Sequence, residues 1–190
     1  GPGSICTTRI ITGMGVPQLT AIEEAVRATR GTRATIVADG GIRQIGDMAK
    51  ALAVGASAVM VGSLLAGFDE SPGELVEVKG RKFKHYRGMG SIAAMKRGSA
   101  ERYGQSRETK ERKLIPEGVE GLVKYKGTVA DYLDQVAGSL KSSFYYIGAK
   151  NLSEFQQKAK LIRITPASMV ESHPHSITLV DAGQNYQLKD

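Results

Sequence analysis

Hydrophobic and polar positions alternate with a helical period from Thr20 onward. Ile22, Ala25 and Val26 form one stripe, Thr20 and Glu23 make a T-x-x-E box, and Gly31 closes the segment, so a helix is predicted to start at Thr20. The run Ala34-Thr35-Ile36-Val37-Ala38 has the length and β-branched content of a buried strand, ending at Asp39-Gly40-Gly41. Ile45, Met48, Ala49 and Leu52 mark a second helix, stopped by Gly55. Ala58-Val59-Met60-Val61 is a second short strand, ending at Gly62-Ser63. Strand, helix and strand at this spacing predict a parallel, right-handed βαβ unit.

Beyond it the pattern weakens. Residues 68–127 are polar and glycine-rich, too long for a bare connection, and are expected to form a mobile functional flap. Thr128 is expected to open a helix carrying Val129, Tyr132, Val136 and Leu140. Asn151 with Glu154 opens another, carrying Leu152 and Phe155. The tail from Ala167 reads as irregular. Two strands cannot make a stable parallel sheet alone, so further strands are expected to precede Gly1. Ligand-type residues at the C-terminal ends of both strands suit the closing end of a (β/α)8 barrel, although a doubly wound sheet places ligands there as well.

Composition narrows the class. The 190 residues are 41% hydrophobic and 24% charged, ordinary for one globular domain. No apolar run is long enough to span a membrane and no signal peptide is apparent. A single cysteine excludes an internal disulfide and fits a reducing compartment, so a cytoplasmic location is expected. The net charge of +7 is concentrated: twelve Lys/Arg face three Glu between Lys79 and Lys113, a local +9 against −2 elsewhere. Such a field attracts phosphates. Phe83, Tyr86 and Tyr103 are the only aromatics in that stretch, too few for a nucleic-acid platform.

The candidate chemistry gathers at strand ends and loops. Cys6 lies between glycines and hydroxyls, a loop setting that favours a nucleophile over a buried hydrophobe. Asp39 can grip two ribose hydroxyls while Gly40-Gly41 permit close backbone approach; a capped turn is the alternative. Gly62-Ser63 repeats the arrangement after the next strand, where barrel enzymes hold phosphate on backbone N–H groups. Tyr86-Arg87-Gly88-Met89-Gly90-Ser91 can wrap a flat base or bond a phosphate. Arg102-Tyr103 lies in the basic stretch, where a solvated arginine is the plainer reading. His85, His173 and His175 lack the partners of a zinc site.

These parts together resemble the IMP dehydrogenase family. The resemblance runs through Gly1-Pro2-Gly3-Ser4-Ile5-Cys6-Thr7-Thr8-Arg9, Gly13-Met14-Gly15-Val16-Pro17-Gln18, Ala38-Asp39-Gly40-Gly41, Met60-Val61-Gly62-Ser63, Tyr86 to Ser91, Pro116-Glu117-Gly118-Val119-Glu120-Gly121 and Glu171-Ser172-His173-Pro174-His175. It makes Gly1–Ser4 native motif, although the same letters also spell the remnant of a cleaved tag. It implies an α/β fold, the C-terminal portion of a (β/α)8 barrel, with the N-terminal barrel part in the same or a second chain. Within residues 1–190 it implies a cysteine loop (1–18), the last barrel βα units (19–67), the flap region (68–127), and C-terminal helices with a tail (128–190).

For function, the resemblance implies NAD-dependent oxidation of IMP to XMP in guanine nucleotide biosynthesis. Cys6 would attack C2 of the purine, hydride would leave to NAD, and a covalent thioimidate would remain. Arg102 with Tyr103 would activate the hydrolytic water, oriented by Thr8. Ser4, Gly41, Gly62, Ser63 and Tyr86 would hold the phosphate, and Asp39 the ribose. Gly88, Met89, Gly90 and Glu117 would line the base. Potassium would be caged by carbonyls of Gly1, Gly3 and Cys6, completed by Glu171, Ser172 and His173 of a neighbour in a homotetramer. No NAD-contacting residue is assigned. The alternatives are a GMP reductase, which shares the cysteine loop but lacks the Arg-Tyr flap, and a non-catalytic barrel fragment. Nucleic-acid binding ranks below both.

Overall fold

The computed structural model describes residues 1–106, 110, 113–181 and 186. A short helix α1 (Thr8–Thr12) follows the cysteine loop, and α2 (Gln18–Ala28) precedes β1 (Val37–Asp39), α3 (Ile45–Ala53) and β2 (Ala58–Met60). β1 and β2 pair in parallel, Val37 opposite Ala58 and Asp39 opposite Met60. The βαβ unit is therefore present. Its elements are shifted at both ends. α2 starts at Gln18 and not at Thr20, because Pro17 has a φ of −54° and its carbonyl takes the first N–H, from Ala21 at 3.0 Å. β1 runs from Val37 and not from Ala34, since β2 offers ladder partners only from there; Ile36 instead accepts a bond from Ser57 N–H at 2.8 Å.

Residues 68–127 are not one long loop. β3 (Leu75–Val78), β4 (Arg81–Arg87) and β5 (Glu120–Lys124) form an antiparallel sheet with β4 in the centre. The β3–β4 turn is Lys79-Gly80, with φ values of 52° and 74°. Two left-handed residues give a hairpin turn whose twist matches its strands. Between β4 and β5 comes a helical stretch: α4 (Ile92–Ala94), a π-helical turn (Met95–Ser99) and a 3-10 turn (Ala100–Tyr103).

Three helices finish the described chain: α5 (Ala130–Ile147), α6 (Leu152–Lys158) and α7 (Pro166–Glu171). Thr128 does not cap α5; the Glu70 carboxylate accepts the Val129 N–H, at 3.0 and 3.1 Å. Asn151 does cap α6, accepting from Glu154 N–H at 2.9 Å, but the Glu154 carboxylate reaches Lys150 N–H at 3.2 Å, so the box closes one residue earlier than expected. α7 occupies part of the tail expected to be irregular. Thr165 caps it through Ser168 N–H at 3.2 Å, and Pro166 fits its first turn.

The main core joins α2, α3, both parallel strands and α5 through Ile22, Ala38, Ile42, Met48, Ala51, Ala56 and Leu64, with Val136 and Leu140 packed against it. A second cluster, Ile45, Phe68 and Tyr132, seats the root of the antiparallel sheet on that core. There Phe68 bridges to Gly127, and Lys126 N–H donates to Gly67 carbonyl at 2.9 Å. α6 is stacked on by Phe144 of α5 through Phe155, ring centroids 4.4 Å apart. Among the described residues, no helix is long and apolar enough to cross a membrane.

Candidate active site

The cysteine loop is built by its contacts with a segment more than a hundred residues away. Cys6 N–H donates to Gly3 carbonyl at 3.2 Å, closing a tight turn. Thr7 N–H donates to Glu117 carbonyl at 2.9 Å, Val119 N–H to Ile5 carbonyl at 3.0 Å, and Cys6 bridges to Gly118. Gly118 is tightly enclosed here, since a Cβ would lie 3.2 Å from Ile5 carbonyl and from Gly90 and would force that backbone to give by a few tenths of an ångström. This stitching holds the half-buried sulfur at the mouth of the loop, directly before α1.

The Cys6 thiol donates to Thr8 Oγ1 at 3.2 Å, and the Thr8 hydroxyl donates to Glu117 Oε2 at 2.7 Å. Gly1 N lies 3.0 Å from Cys6 Sγ. Burial works against ionisation of Cys6, while the hydrogen bonds with Thr8 favour it. The thiol is connected to a carboxylate through one hydroxyl.

The other residues converge on this loop from four directions. Gly40 and Gly41 take φ values of 91° and 75°, which a side chain would strain. Pro2 sits against them, 2.9 Å from where a Gly40 Cβ would be, so the Asp39 turn touches the cysteine loop. Gln18 Nε2 donates to Asp39 carbonyl at 2.9 Å and fixes that turn further. β4 carries Tyr86 to the turn after β2, with its hydroxyl 2.7 Å from where a Gly62 Cβ would be. Gly88 N–H donates to Val119 carbonyl at 2.9 Å and Glu117 N–H to Gly90 carbonyl at 3.0 Å, which lays the Gly88–Gly90 strand beside the glutamate segment. Met89 is left exposed, and its carbonyl accepts the Ser99 hydroxyl.

Tyr103 packs its ring end against Gly90, its hydroxyl 3.0 Å from where a Cβ there would sit. Burial raises the Tyr103 pKa, the charge on Cys6 adds to this, Arg102 opposes it and Glu117 adds again. Tyr103 therefore keeps its proton at neutral pH within the field of both groups. Arg102 is exposed beside it on the 3-10 turn. A cavity of about 570 Å³ opens between α1 and this segment, lined by Ile11, Thr12, Tyr103, Gln105, Ile115 and Glu117 among others.

Two parts of the expected site stand differently. Gly1, Gly3 and Cys6 do share one turn, with Cβ positions on both glycines 3.9 Å from the Cys6 side chain. The bonds of Ser172 and His173 run within the tail, Ser172 Oγ to Ser168 carbonyl at 2.7 Å and His173 Nδ1 with Tyr186 hydroxyl at 2.9 Å. Among the described residues no cluster of three His, Cys, Asp or Glu side chains is placed to hold a metal ion. Two members of the arrangement went unread in the sequence. Gln18 carried a signal, its place beside Pro17 in a recognised block; the Thr8–Glu117 bond had none, since nothing local pairs residues 109 apart.

A fold of parallel βα units with this cysteine loop defines an enzyme class, and comparison identifies it: the chain belongs to the family described as the IMP dehydrogenase / GMP reductase domain, whose model matches residues 1–175. It is 54% identical to inosine-5'-monophosphate dehydrogenase of Methanocaldococcus jannaschii over 99% of this chain and 39% of that protein. It is 56% identical to that of Rhizobium tropici over 94% of this chain and 36% of the relative, and 50% identical to that of Streptococcus pyogenes over 99% and 38%. A crystal structure of a cysteine-to-alanine variant of GMP reductase from Trypanosoma brucei, in complex with guanosine 5'-monophosphate, superposes with a TM-score of 0.83 at 42% identity. It covers 94% of this chain and 35% of that one. The chain thus spans less than two fifths of the curated relatives it matches, and its α/β fold is a part of the family's barrel.

Proposed function

We propose that the protein to which this chain belongs oxidises IMP to XMP with NAD as hydride acceptor. The hydrogen-bonded line from Cys6 through Thr8 to Glu117 carries the reading, because it supplies an activated nucleophile and a proton route at one place. The Cys6 thiolate adds to C2 of the hypoxanthine, forming the S–C2 bond. The C2 hydrogen leaves with its electron pair as hydride, which NAD accepts, and a thioimidate remains on Cys6. Water then adds to C2, its proton passes to a base, and the S–C2 bond breaks with the electrons returning to sulfur.

The chain's residues have separable parts in this sequence. Thr8 orients the water, and its bond to Glu117 offers an exit for the proton. Tyr103, kept protonated, donates a hydrogen bond rather than acting as a base. Arg102 acts beside it on the hydrolytic water. Ser4, Gly41, Gly62, Ser63 and Tyr86 hold the phosphate, Asp39 the ribose hydroxyls, and Gly88, Met89 and Gly90 the base. The cavity between α1 and Tyr103 would admit nicotinamide, which would supply the hydride acceptor. Carbonyls of Gly1, Gly3 and Cys6 would hold half of the shell of a potassium ion, and Glu171, Ser172 and His173 of a neighbour would complete it in a cytoplasmic homotetramer. The N-terminal barrel part supplies the remaining strands.

The likeness to a GMP reductase structure supports a second reading, in which the same thioimidate is formed from GMP with loss of ammonia. The Arg102-Tyr103 segment favours the dehydrogenase. In the full-length protein, IMP with NAD should yield NADH and a Cys6 adduct detectable by mass. Ammonia released from GMP with reduced cofactor, and no NADH from IMP, would replace the first reading with the second.

A further inference from the structure

Lys84 is 5% exposed in the middle of β4, and nothing in the proposed chemistry uses it. Its ammonium donates to three carbonyls: Phe68 at 2.9 Å, Asp69 at 3.2 Å and Ser71 at 2.5 Å. An ammonium has three N–H donors, and all three are taken. Burying a cation is tolerable only where dipoles replace its water shell, and here a single turn of backbone does so. That turn is the far end of the segment leaving β2, whose near end is Gly62-Ser63.

Two residues farther along β4, on the same face of the strand, stands Tyr86, its hydroxyl lying against Gly62. One strand therefore meets one loop twice, through Lys84 at residues 68–71 and through Tyr86 at residue 62. Gly62, Phe68, Ser71 and Tyr86 all border the same cavity of about 770 Å³, so both attachments contribute to its wall. We propose that Lys84 is a positioning residue for the phosphate subsite: by gripping the Phe68–Ser71 turn it sets the height of the Tyr86 hydroxyl over Gly62-Ser63. This rests on the phosphate role given to Tyr86 and Gly62-Ser63 above.

The test is made in the full-length protein, with dissociation constants of IMP and of inosine measured for wild type, Lys84→Met, Lys84→Gln, Lys84→Arg, Tyr86→Phe and Lys84→Met combined with Tyr86→Phe. Inosine lacks only the phosphate. The preference for IMP over inosine is expected to fall about tenfold in Lys84→Met, the scale of one charged or charge-assisted hydrogen bond misplaced, with inosine affinity unchanged within about twofold. Lys84→Arg restores most of the preference. The double variant is no worse than Lys84→Met alone, because both changes act on one hydroxyl. Loss of both affinities in parallel, or additive effects in the double variant, would overturn the proposal. Should Lys84→Met fail to fold, Lys84→Gln, which keeps two donors, carries the same comparison, and an undiminished preference there also overturns it. A wild type that does not prefer IMP at all refutes the proposed function itself; a preference that survives in the Lys84 variants refutes only the role of Lys84.

Discussion

Replacing Thr8 with valine isolates the hydroxyl that joins sulfur to carboxylate. Valine keeps the branched shape of threonine but not its hydroxyl, so the change removes two bonds, the thiol's at 3.2 Å and the one to Glu117 at 2.7 Å, and leaves the Glu117 oxygen without that donor. The second is the stronger, since its acceptor is ionised and the site is half-buried; such bonds contribute about 1.5–3 kcal/mol. If that interaction acts on the hydrolytic step alone, the step slows about ten- to a hundredfold, at roughly 1.36 kcal/mol per decade. Hydride transfer needs the Cys6 thiolate, which the Thr8 contacts favour, and a correctly seated base, so it should slow by less than the hydrolytic step. The full-length Thr8→Val protein, mixed rapidly with IMP and NAD, should therefore show a slower burst of near-normal amplitude in NADH, a more strongly depressed steady state and an accumulated Cys6 adduct. A steady-state rate within about twofold of wild type, or a burst lost along with it, would refute the assignment of Thr8 to water activation.

Cys6 alkylation by iodoacetamide should rise with pH as the thiol ionises, and Thr8→Val should move the midpoint upward because the Thr8 hydrogen bonds favour the thiolate; an unmoved or lowered midpoint would contradict the geometry. Gly62→Ala places a methyl group 2.7 Å from the Tyr86 hydroxyl, so the ring must retreat by several tenths of an ångström, and the KM for IMP should rise while kcat holds. Gly67→Ala is harsher, since its Cβ would lie 2.3 Å from the Lys124 carbonyl, a backbone atom; a cost of about 1–3 kcal/mol or more should appear as a lowered Tm. Phe155→Ala removes a ring that is 2% exposed and stacked on Phe144, and a loss of about 3–5 kcal/mol is expected in denaturant unfolding.

The βαβ unit was legible because its signals are local. Ile45, Met48 and Leu52 mark one helix face, Gly55 ends it with a φ of 112°, and the two apolar runs mark the strands, although in this chain only Ala38 of β1 is buried while Val37 and Met60 are exposed. The antiparallel sheet hid behind its charge. In Arg81-Lys82-Phe83-Lys84-His85-Tyr86-Arg87 the polar face and the inward face are nearly equally basic, because the inward Lys84 is satisfied by carbonyls from a distant turn. Alternation therefore vanished from the pattern although it is present in space. The α5 cap failed for a similar reason: Glu70, 59 residues away, does the work that Thr128 was expected to do. At the site, the family resemblance pointed to Cys6, Asp39, Gly62 and Tyr86; the Asp39 turn meets the cysteine loop through Pro2, and Tyr86 meets Gly62. Which carboxylate meets Thr8 depends on the fold and was not readable from spacing.

The cysteine loop takes its shape from Glu117, Gly118 and Val119, partners more than a hundred residues away along the chain. Contacts of such wide sequence separation close slowly. Thiol reactivity should therefore report completion of the tertiary structure. Helical content should recover well before Cys6 becomes a fast nucleophile, and half-folded chains should carry an ordinary, sluggish sulfur that electrophiles and other unfolded chains largely leave alone.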